Sequence, residues 1–111
     1  MLTAPLPDEA LEALGNAERR RILTLLSAGP LSVGALAAQF TISRPAVSRH
    51  LRILKDAGLI RPLAFGTRNL YALDRQGFEA TAAWLDHFWD DAEARLRLVA
   101  ENTGGPDRDL G

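Results

Sequence analysis

Residues 41–58 read TISRPAVSRHLRILKDAG, and this stretch decides the fold. Ser43 is a favourable N-cap, Pro45 fits the first helical turn because its missing N–H is not needed there, and Gly58 favours termination. The pattern therefore predicts a helix over residues 43–57. Its apolar side chains recur at i, i+4 and i+7 and predict one buried stripe, made of Val47, Leu51 and Leu54.

The opposite side of this helix is polar and mostly basic. Guanidinium groups make bidentate contacts to phosphate and to guanine, and the major groove of DNA is wide enough to admit a helix. A solvated helix face is the plainer interpretation of the same pattern. We interpret it as a DNA-contacting surface formed by Arg44, Ser48, Arg49, Arg52 and Lys55.

Length and composition limit the class of protein. The chain has 111 residues, which suits a single domain, and no cysteine, which excludes disulfides, thiolate metal sites and cysteine nucleophiles. No apolar run approaches the ~20 residues that cross a bilayer, and the N-terminus lacks a signal pattern. We therefore expect a cytoplasmic protein without a membrane partner.

The formal net charge of -1 conceals an uneven distribution along the chain. Residues 44–73 hold six basic residues and one acidic residue, a net charge of +5, whereas residues 74–111 hold nine acidic and four basic residues, a net charge of -5. A basic segment beside an acidic one is typical of a protein whose centre meets a polyanion.

The two ends of the chain lack helical periodicity. Residues 1–7 contain two prolines, and residues 102–111 are rich in glycine, proline and aspartate. We predict a flexible arm over residues 1–7, a disordered tail over residues 102–111, and one domain over residues 8–101 between them.

Helical patterns precede the basic helix. A first helix is predicted over residues 8–14, Asn16 caps a second helix, and Ser32 caps a short third helix. The turn at residues 41–42 joins this third helix to the basic one. Two short helices joined in this way form a helix-turn-helix, whose second helix reads DNA.

After Gly58 the pattern changes to that of a β-hairpin with its turn at Gly66. Arg61 and Arg68 place positive charge on this ribbon. We call residues 61–70 the wing and expect it to meet adjacent DNA backbone or the minor groove.

Asp74 is the predicted N-cap of a last helix that reaches about Glu101. At ~1.5 Å per residue this helix is about 40 Å long, more than so small a core can cover. Large aromatic side chains at helical spacing are typical anchors of a dimer interface, and a ligand pocket lined by the same aromatics is the alternative. The predicted dimer interface comprises Leu11, Leu14, Trp84, Leu85, Phe88, Trp89 and Leu96.

Three strings carry a resemblance: SRPAVSRHLRILKDAGLI at residues 43–60, LGNAERRRIL at residues 14–23 and NLYALD at residues 69–74. With the order of the predicted elements, they resemble the arsenic-repressor (ArsR) family of transcription regulators. The resemblance implies a mainly α fold with a small β-hairpin, a winged helix-turn-helix that dimerises through its first and last helices. It also implies double-stranded operator DNA as partner, bound by two recognition helices, and in many members release by an effector.

Mapped residue by residue, the resemblance also implies which side chains meet DNA. His50 lies beside the buried stripe, so packing against the core is its alternative role. The cysteine pair of the family's metal-sensing branch would fall at Ser32 and Gly34, which offer no thiolate. The implied DNA contacts are Ser43, Arg44, Ser48, Arg49, His50 and Arg52 on the helix, and Gly66, Thr67 and Arg68 at the wing tip.

A metal site on the last helix is the next interpretation to weigh. His87 lies three and four residues before Asp90 and Asp91, which is ligand spacing for a divalent cation, and the resemblance implies zinc on this helix in some members. Those sites use more than one histidine. We therefore predict a solvated acidic face, and neither a metal nor a cofactor.

The sequence thus predicts a homodimeric DNA-binding regulator, most simply a repressor, that acts on a pseudo-palindromic operator. The chain has neither a Gly-x-Ser-x-Gly turn nor a phosphate-binding glycine loop, so we predict no enzymatic activity. A winged-helix protein–protein interaction module and a metal-responsive repressor that uses the last helix are the alternatives. Neither the effector nor the choice between repression and activation follows from the residues.

Overall fold

The computed structural model describes residues 7–103. Pro7, predicted in the flexible arm, precedes the first helix, and its carbonyl accepts a 2.8 Å hydrogen bond from the N–H of Leu11. The rest of the predicted arm, residues 1–6, lies outside the described residues. The elements in chain order are α1 (Asp8–Leu14), α2 (Ala17–Leu26), β1 (Leu31–Ser32), α3 (Val33–Ala37), α4 (Arg44–Asp56), β2 (Ile60–Phe65), β3 (Arg68–Leu73) and α5 (Arg75–Thr103).

Local capping signals define the helix starts as predicted. The side chains of Asn16, Ser32 and Ser43 accept hydrogen bonds from the backbone N–H three residues further on, at 3.0, 3.1 and 3.3 Å. After α4, Gly58 has a φ of 78°, a left-handed conformation that favours glycine. The predicted helix over residues 43–57 is thereby confirmed, with Ser43 as its N-cap.

The sheet has one strand more than predicted. β2 and β3 form the predicted hairpin, in which Phe65 pairs with Arg68 and Gly66 turns the chain at a φ of 65°. The two-residue β1 pairs antiparallel with the other edge of β3, and Leu31 lies opposite Tyr71. So short a strand has no periodicity of its own, because pairing with a distant segment defines it.

The chain divides into two compact units, residues 1–81 and 82–111. The first unit holds the core, in which the predicted stripe of α4 is confirmed: Val47, Leu51 and Leu54 are at most 1% exposed. The single domain over residues 8–101 stays a prediction. The other buried apolar side chains are Ala10, Ala13, Ile22, Leu23, Leu26, Leu36, Leu59 and Ile60.

Two glycines allow the start of α5 to touch the segment that follows α4. A Cβ atom built on Gly77 would overlap the carbonyl of Gly58, whose carbon it would approach to 2.6 Å, and would lie 3.1 Å from the nitrogen of Leu59. Hydrogen bonds hold that segment, since Gly58 N–H donates to the carbonyl of Lys55 and Leu59 N–H donates to the carbonyl of Leu54, both at 3.0 Å. The backbone contact therefore requires glycine at position 77.

The described part of the second unit is helical. Because α5 continues to Thr103, the predicted boundary of the tail is wrong by two residues: Asn102 and Thr103 belong to the helix. Neither residue breaks a helix, whereas Gly-Gly-Pro follows at residues 104–106. Residues 104–111 of the predicted tail lie outside the described residues. No helix in the described part of the chain combines the length and apolarity needed to cross a bilayer.

Candidate nucleic-acid interface

Helix α4 separates an apolar face from a cationic one. Its aliphatic stripe packs in the core, and this packing fixes the direction of the opposite face because residues i, i+4 and i+7 point the same way. The structure thus brings the predicted cations together on one exposed helix face. The exposed residues of that face are Arg44, Ser48, Arg49, Arg52 and Lys55.

The carboxylates of the described chain do not neutralise these cations. Among residues 7–103, none of the ion pairs involves an arginine of α4 or Lys55. Their charge is therefore available to an external phosphate. Ser43 is exposed as well, but its hydroxyl already accepts the N–H of Ala46 as the N-cap.

The wing ends in an exposed turn that carries the other predicted contacts. Gly66, Thr67 and Arg68 are exposed, as is Arg61. Residues two apart on a strand share a face, so the register places Arg61, Phe65 and the paired Arg68 on one face of the ribbon. Phe65 is 68% exposed. Sequence reasoning missed it, because phenylalanine in a strand pattern predicts burial and no local signal says otherwise.

His50 differs from the other predicted contacts of α4. Its side chain is only 16% exposed, and its Nε2 lies 3.3 Å from Oε1 of Glu18. Its Nδ1 lies 3.2 Å from Nη1 of Arg19. Both ring nitrogens thus face α2, and the structure does not bring His50 onto the cationic face.

Three consecutive arginines at the start of α2 also have partners within the protein. Arg19 and Arg20 each donate a 2.8 Å hydrogen bond to a carbonyl at the C-terminal end of α1. The guanidinium carbon of Arg21 lies 5.1 Å from the centroid of the Phe40 ring, a cation–π contact. These contacts link elements of the fold. No local sequence pattern predicts these contacts to α1 and to the segment after α3.

The predicted dimer residues of α5 are exposed in a single chain. Trp84 and Phe88 meet edge to face, with ring centroids 4.6 Å apart. Leu11 and Leu14 of α1 are partly buried. An apolar stripe of this kind is more than a monomer ordinarily exposes. The exposed fractions are 36% for Trp84, 51% for Leu85, 58% for Phe88, 65% for Trp89 and 67% for Leu96.

The acidic face of α5 holds one histidine. Nε2 of His87 lies 3.7 Å from Oδ2 of Asp91, and both side chains are largely exposed. Within the part of the chain that the structure describes, no three His, Cys, Asp or Glu side chains group as a metal site would require. The geometry is that of an exposed i,i+4 pair on a helix surface.

A winged helix-turn-helix with a cationic second helix defines a class of DNA-binding proteins. The sequence profile described as "Bacterial regulatory protein, arsR family" matches residues 16–61. The HTH-type transcriptional regulator Rv2034 of Mycobacterium tuberculosis is 47% identical over 104 residues, which cover 94% of this chain and 97% of that protein. The chain therefore belongs to the ArsR family of transcription regulators, and the family inferred from the sequence is confirmed.

Two further comparisons agree with this assignment. The transcriptional repressor SdpR of Bacillus subtilis is 33% identical over 81 residues, which cover 73% of this chain and 90% of SdpR. A homodimeric winged helix-turn-helix DNA-binding domain from Mycobacterium bovis, described as a possible ArsR-family regulator, is 29% identical with a TM-score of 0.57 and covers 78% of this chain and 77% of that one. The predicted fold class and the predicted role in transcription regulation are thereby confirmed.

Proposed function

We propose that the protein is a homodimeric repressor that places α4 of each subunit in the major groove of a pseudo-palindromic operator. One observation supports this most directly. The buried stripe of α4 is at most 1% exposed, whereas the cations on its other face are exposed and, among the described residues, unpaired with any carboxylate. A helix whose apolar face is packed in the core and whose exposed face is cationic can enter the major groove of a DNA duplex.

In this proposal the two recognition helices lie about 34 Å apart, one turn of DNA. The N-terminal half of α4, with Arg44, Ser48 and Arg49, faces base edges, and the wing arginines Arg61 and Arg68 meet adjacent backbone or minor groove. Repression is supported by SdpR, a transcriptional repressor, and dimerisation by the homodimeric domain from Mycobacterium bovis. The exposed aromatics of α5 are the proposed dimer contact.

A salt titration tests the electrostatic part of the proposal. The probe is a duplex selected from random DNA by the wild-type protein, labelled and followed by fluorescence anisotropy. With roughly 6 to 10 phosphates neutralised per dimer, affinity should fall by about 10³ to 10⁵ between about 50 and 200 mM salt. A nearly flat salt response would contradict the proposal.

A pair of matched variants tests which cations bind. Arg49→Ala with Arg52→Ala should flatten the salt slope by about 0.9 for each phosphate that is no longer neutralised, and should leave the dimer intact. The control is Arg75→Ala with Arg97→Ala, which removes the same charge from exposed i,i+4 pairs on α5. Equal effects of the two double variants would show that net charge, not the α4 face, determines binding.

The exposed aromatics of α5 also fit a protein–protein interaction module, our second candidate. Sedimentation of the purified chain separates the two. A dimer whose formation depends on Trp84 and Trp89 supports the repressor. A monomer that selects no duplex from the random pool supports the module.

A regulator that acts on a bacterial operator works in the cytoplasm, and we place the protein there. We assign it no enzymatic activity, no metal and no cofactor.

A further inference from the structure

We propose that His50 is a positioning residue: Arg19 and Glu18 hold its ring from α2, and this contact fixes the rotation of α4 for DNA binding. We call these three residues the His50 clamp. The inference rests on the proposed function, since it concerns α4 as the helix that enters the groove. It replaces direct contact of His50 with DNA, which the family resemblance implied.

The first evidence is burial. The imidazole is 16% exposed, whereas Arg49 and Arg52 on either side of it in sequence are exposed. His50 follows Val47 by three residues and precedes Leu54 by four, so it lies on the flank of the buried stripe. From this flank the ring points toward the protein, and its two nitrogens are already engaged.

The second evidence is that the hydrogen bonds assign the tautomer of the ring. The Arg19 guanidinium has only donors, so Nδ1 of His50, 3.2 Å from Nη1, must accept. The proton of the neutral ring then sits on Nε2, which faces Oε1 of Glu18 at 3.3 Å. One cation and one carboxylate thus hold the imidazole in a single tautomer and a single orientation, as a second residue commonly does for functional histidines.

Arg19 is itself held in place, which makes it a rigid support. Its Nε donates to the carbonyl of Ala13 at 2.8 Å, and its Nη2 donates to the carbonyl of Glu12 at 3.3 Å. Both carbonyls belong to the last turn of α1, and that of Glu12 also accepts the backbone N–H of Gly15 at 3.1 Å. All three nitrogens of the guanidinium are therefore used, and one side chain links α1, α2 and α4.

This arrangement matters for DNA binding because it adds a directional contact to the apolar packing that already orients α4. The hydrophobic contacts of Val47, Leu51 and Leu54 are non-directional, whereas hydrogen bonds weaken steeply when they are misaligned. A directional contact on the flank of α4 therefore restricts the rotation that decides where Arg49 points. The clamp acts on affinity through orientation, without touching the duplex.

The test is a double-mutant cycle on binding of the selected duplex, at a temperature where circular dichroism shows every variant folded. His50→Leu removes both ring contacts, and Arg19→Met removes the guanidinium. Each should weaken binding about tenfold, the worth of one hydrogen bond to a charged group, and the double variant should be no weaker than the worse single variant. If His50→Leu does not fold, His50→Ala, which also lacks both ring nitrogens, replaces it in the cycle.

Two further variants separate positioning from direct contact. His50→Asn keeps an acceptor near the place of Nδ1 and should restore most of the affinity that His50→Leu removes. Arg20→Met is the matched control, because Arg20 also bonds to a carbonyl of α1, that of Leu14, but has no contact with His50; it should bind within about twofold of wild type.

Each outcome decides the proposal. Two results would show that His50 contacts DNA directly and would overturn the clamp. In the first, the losses of affinity of the two single variants multiply in the double variant. In the second, Arg19→Met binds the duplex like wild type while His50→Asn binds it weakly. A wild-type protein that selects and binds no duplex would instead contradict the proposed function itself. Non-additive losses with rescue by His50→Asn support the clamp.

Discussion

Replacement of Gly77 by alanine should destabilise the protein, although Gly77 lies within a helix. Alanine ordinarily stabilises a helix by about 0.5 to 1 kcal/mol relative to glycine. At this position the added methyl group would overlap the carbonyl of Gly58, whose carbon it would approach to 2.6 Å. The obstacle is backbone rather than a flexible side chain, and hydrogen bonds at 3.0 Å hold that backbone on both sides.

The size of the stability loss depends on which backbone segment must move to accommodate the methyl group. Either the start of α5 shifts away from Gly58 or the segment after α4 gives up backbone hydrogen bonds. Overpacking costs typically about 1 to 3 kcal/mol, and we expect a net loss near 2 kcal/mol after the helix-propensity gain. For a chain of this size each kcal/mol corresponds to about 4 to 8 °C, so the midpoint should fall by roughly 10 °C.

The matched control is Gly34→Ala. Gly34 lies in α3, and the nearest atoms to a Cβ placed there are side-chain atoms of Arg44 and Ser32 at 3.9 Å, an ordinary contact distance. Helix propensity then dominates, and this variant should be more stable by up to about 1 kcal/mol. Thermal and urea unfolding followed by far-ultraviolet circular dichroism measure both variants, at one protomer concentration because the proposed dimer would add to stability. A Gly77→Ala protein as stable as Gly34→Ala would refute the close backbone contact.

Three further substitutions test other parts of the structure. Asn16→Ala should cost about 1 kcal/mol in urea unfolding by removing the cap of α2, while Asn16→Asp, which keeps an acceptor oxygen, should be nearly neutral. Trp89→Ser should raise the dimer dissociation constant by about 30-fold in sedimentation, because the proposed interface buries this exposed aromatic between subunits. His87→Ser on the same helix should not raise it, and a dimer unaffected by Trp89→Ser contradicts the α5 interface. Gly66→Ala should lower the free energy of unfolding by about 1 kcal/mol, because the turn needs a positive φ although the space around it is open. It should also weaken binding of the selected duplex. An unchanged unfolding midpoint would show that the turn relaxes at no cost.

Local signals explain why the sequence predicted α4 and its cationic face. Ser43 and Gly58 mark its two ends within the helix's own neighbourhood, and a 3.6-residue period separates buried from exposed positions without reference to the rest of the chain. The hairpin was predictable for the same reason, since Gly66 supplies a turn between two short strand patterns.

Contacts between distant segments were beyond the sequence. His50 and Arg19 are 31 positions apart, and no sequence signal at either residue predicts their contact. An exposed base contact and an inward-facing, hydrogen-bonded ring give the same local pattern, because both lie next to the buried stripe. The requirement for glycine at position 77 is likewise visible only once Gly58 lies against it.

The two-residue strand β1 has a consequence for operator architecture. Ser32 pairs with Leu70 of β3, and its side chain also caps the start of α3. The ribbon and the helix-turn-helix are thus joined by both covalent bonds and sheet pairing. In the proposed complex, the number of base pairs between the groove that α4 enters and the backbone that the wing reaches would therefore be fixed by the protein within each half-site.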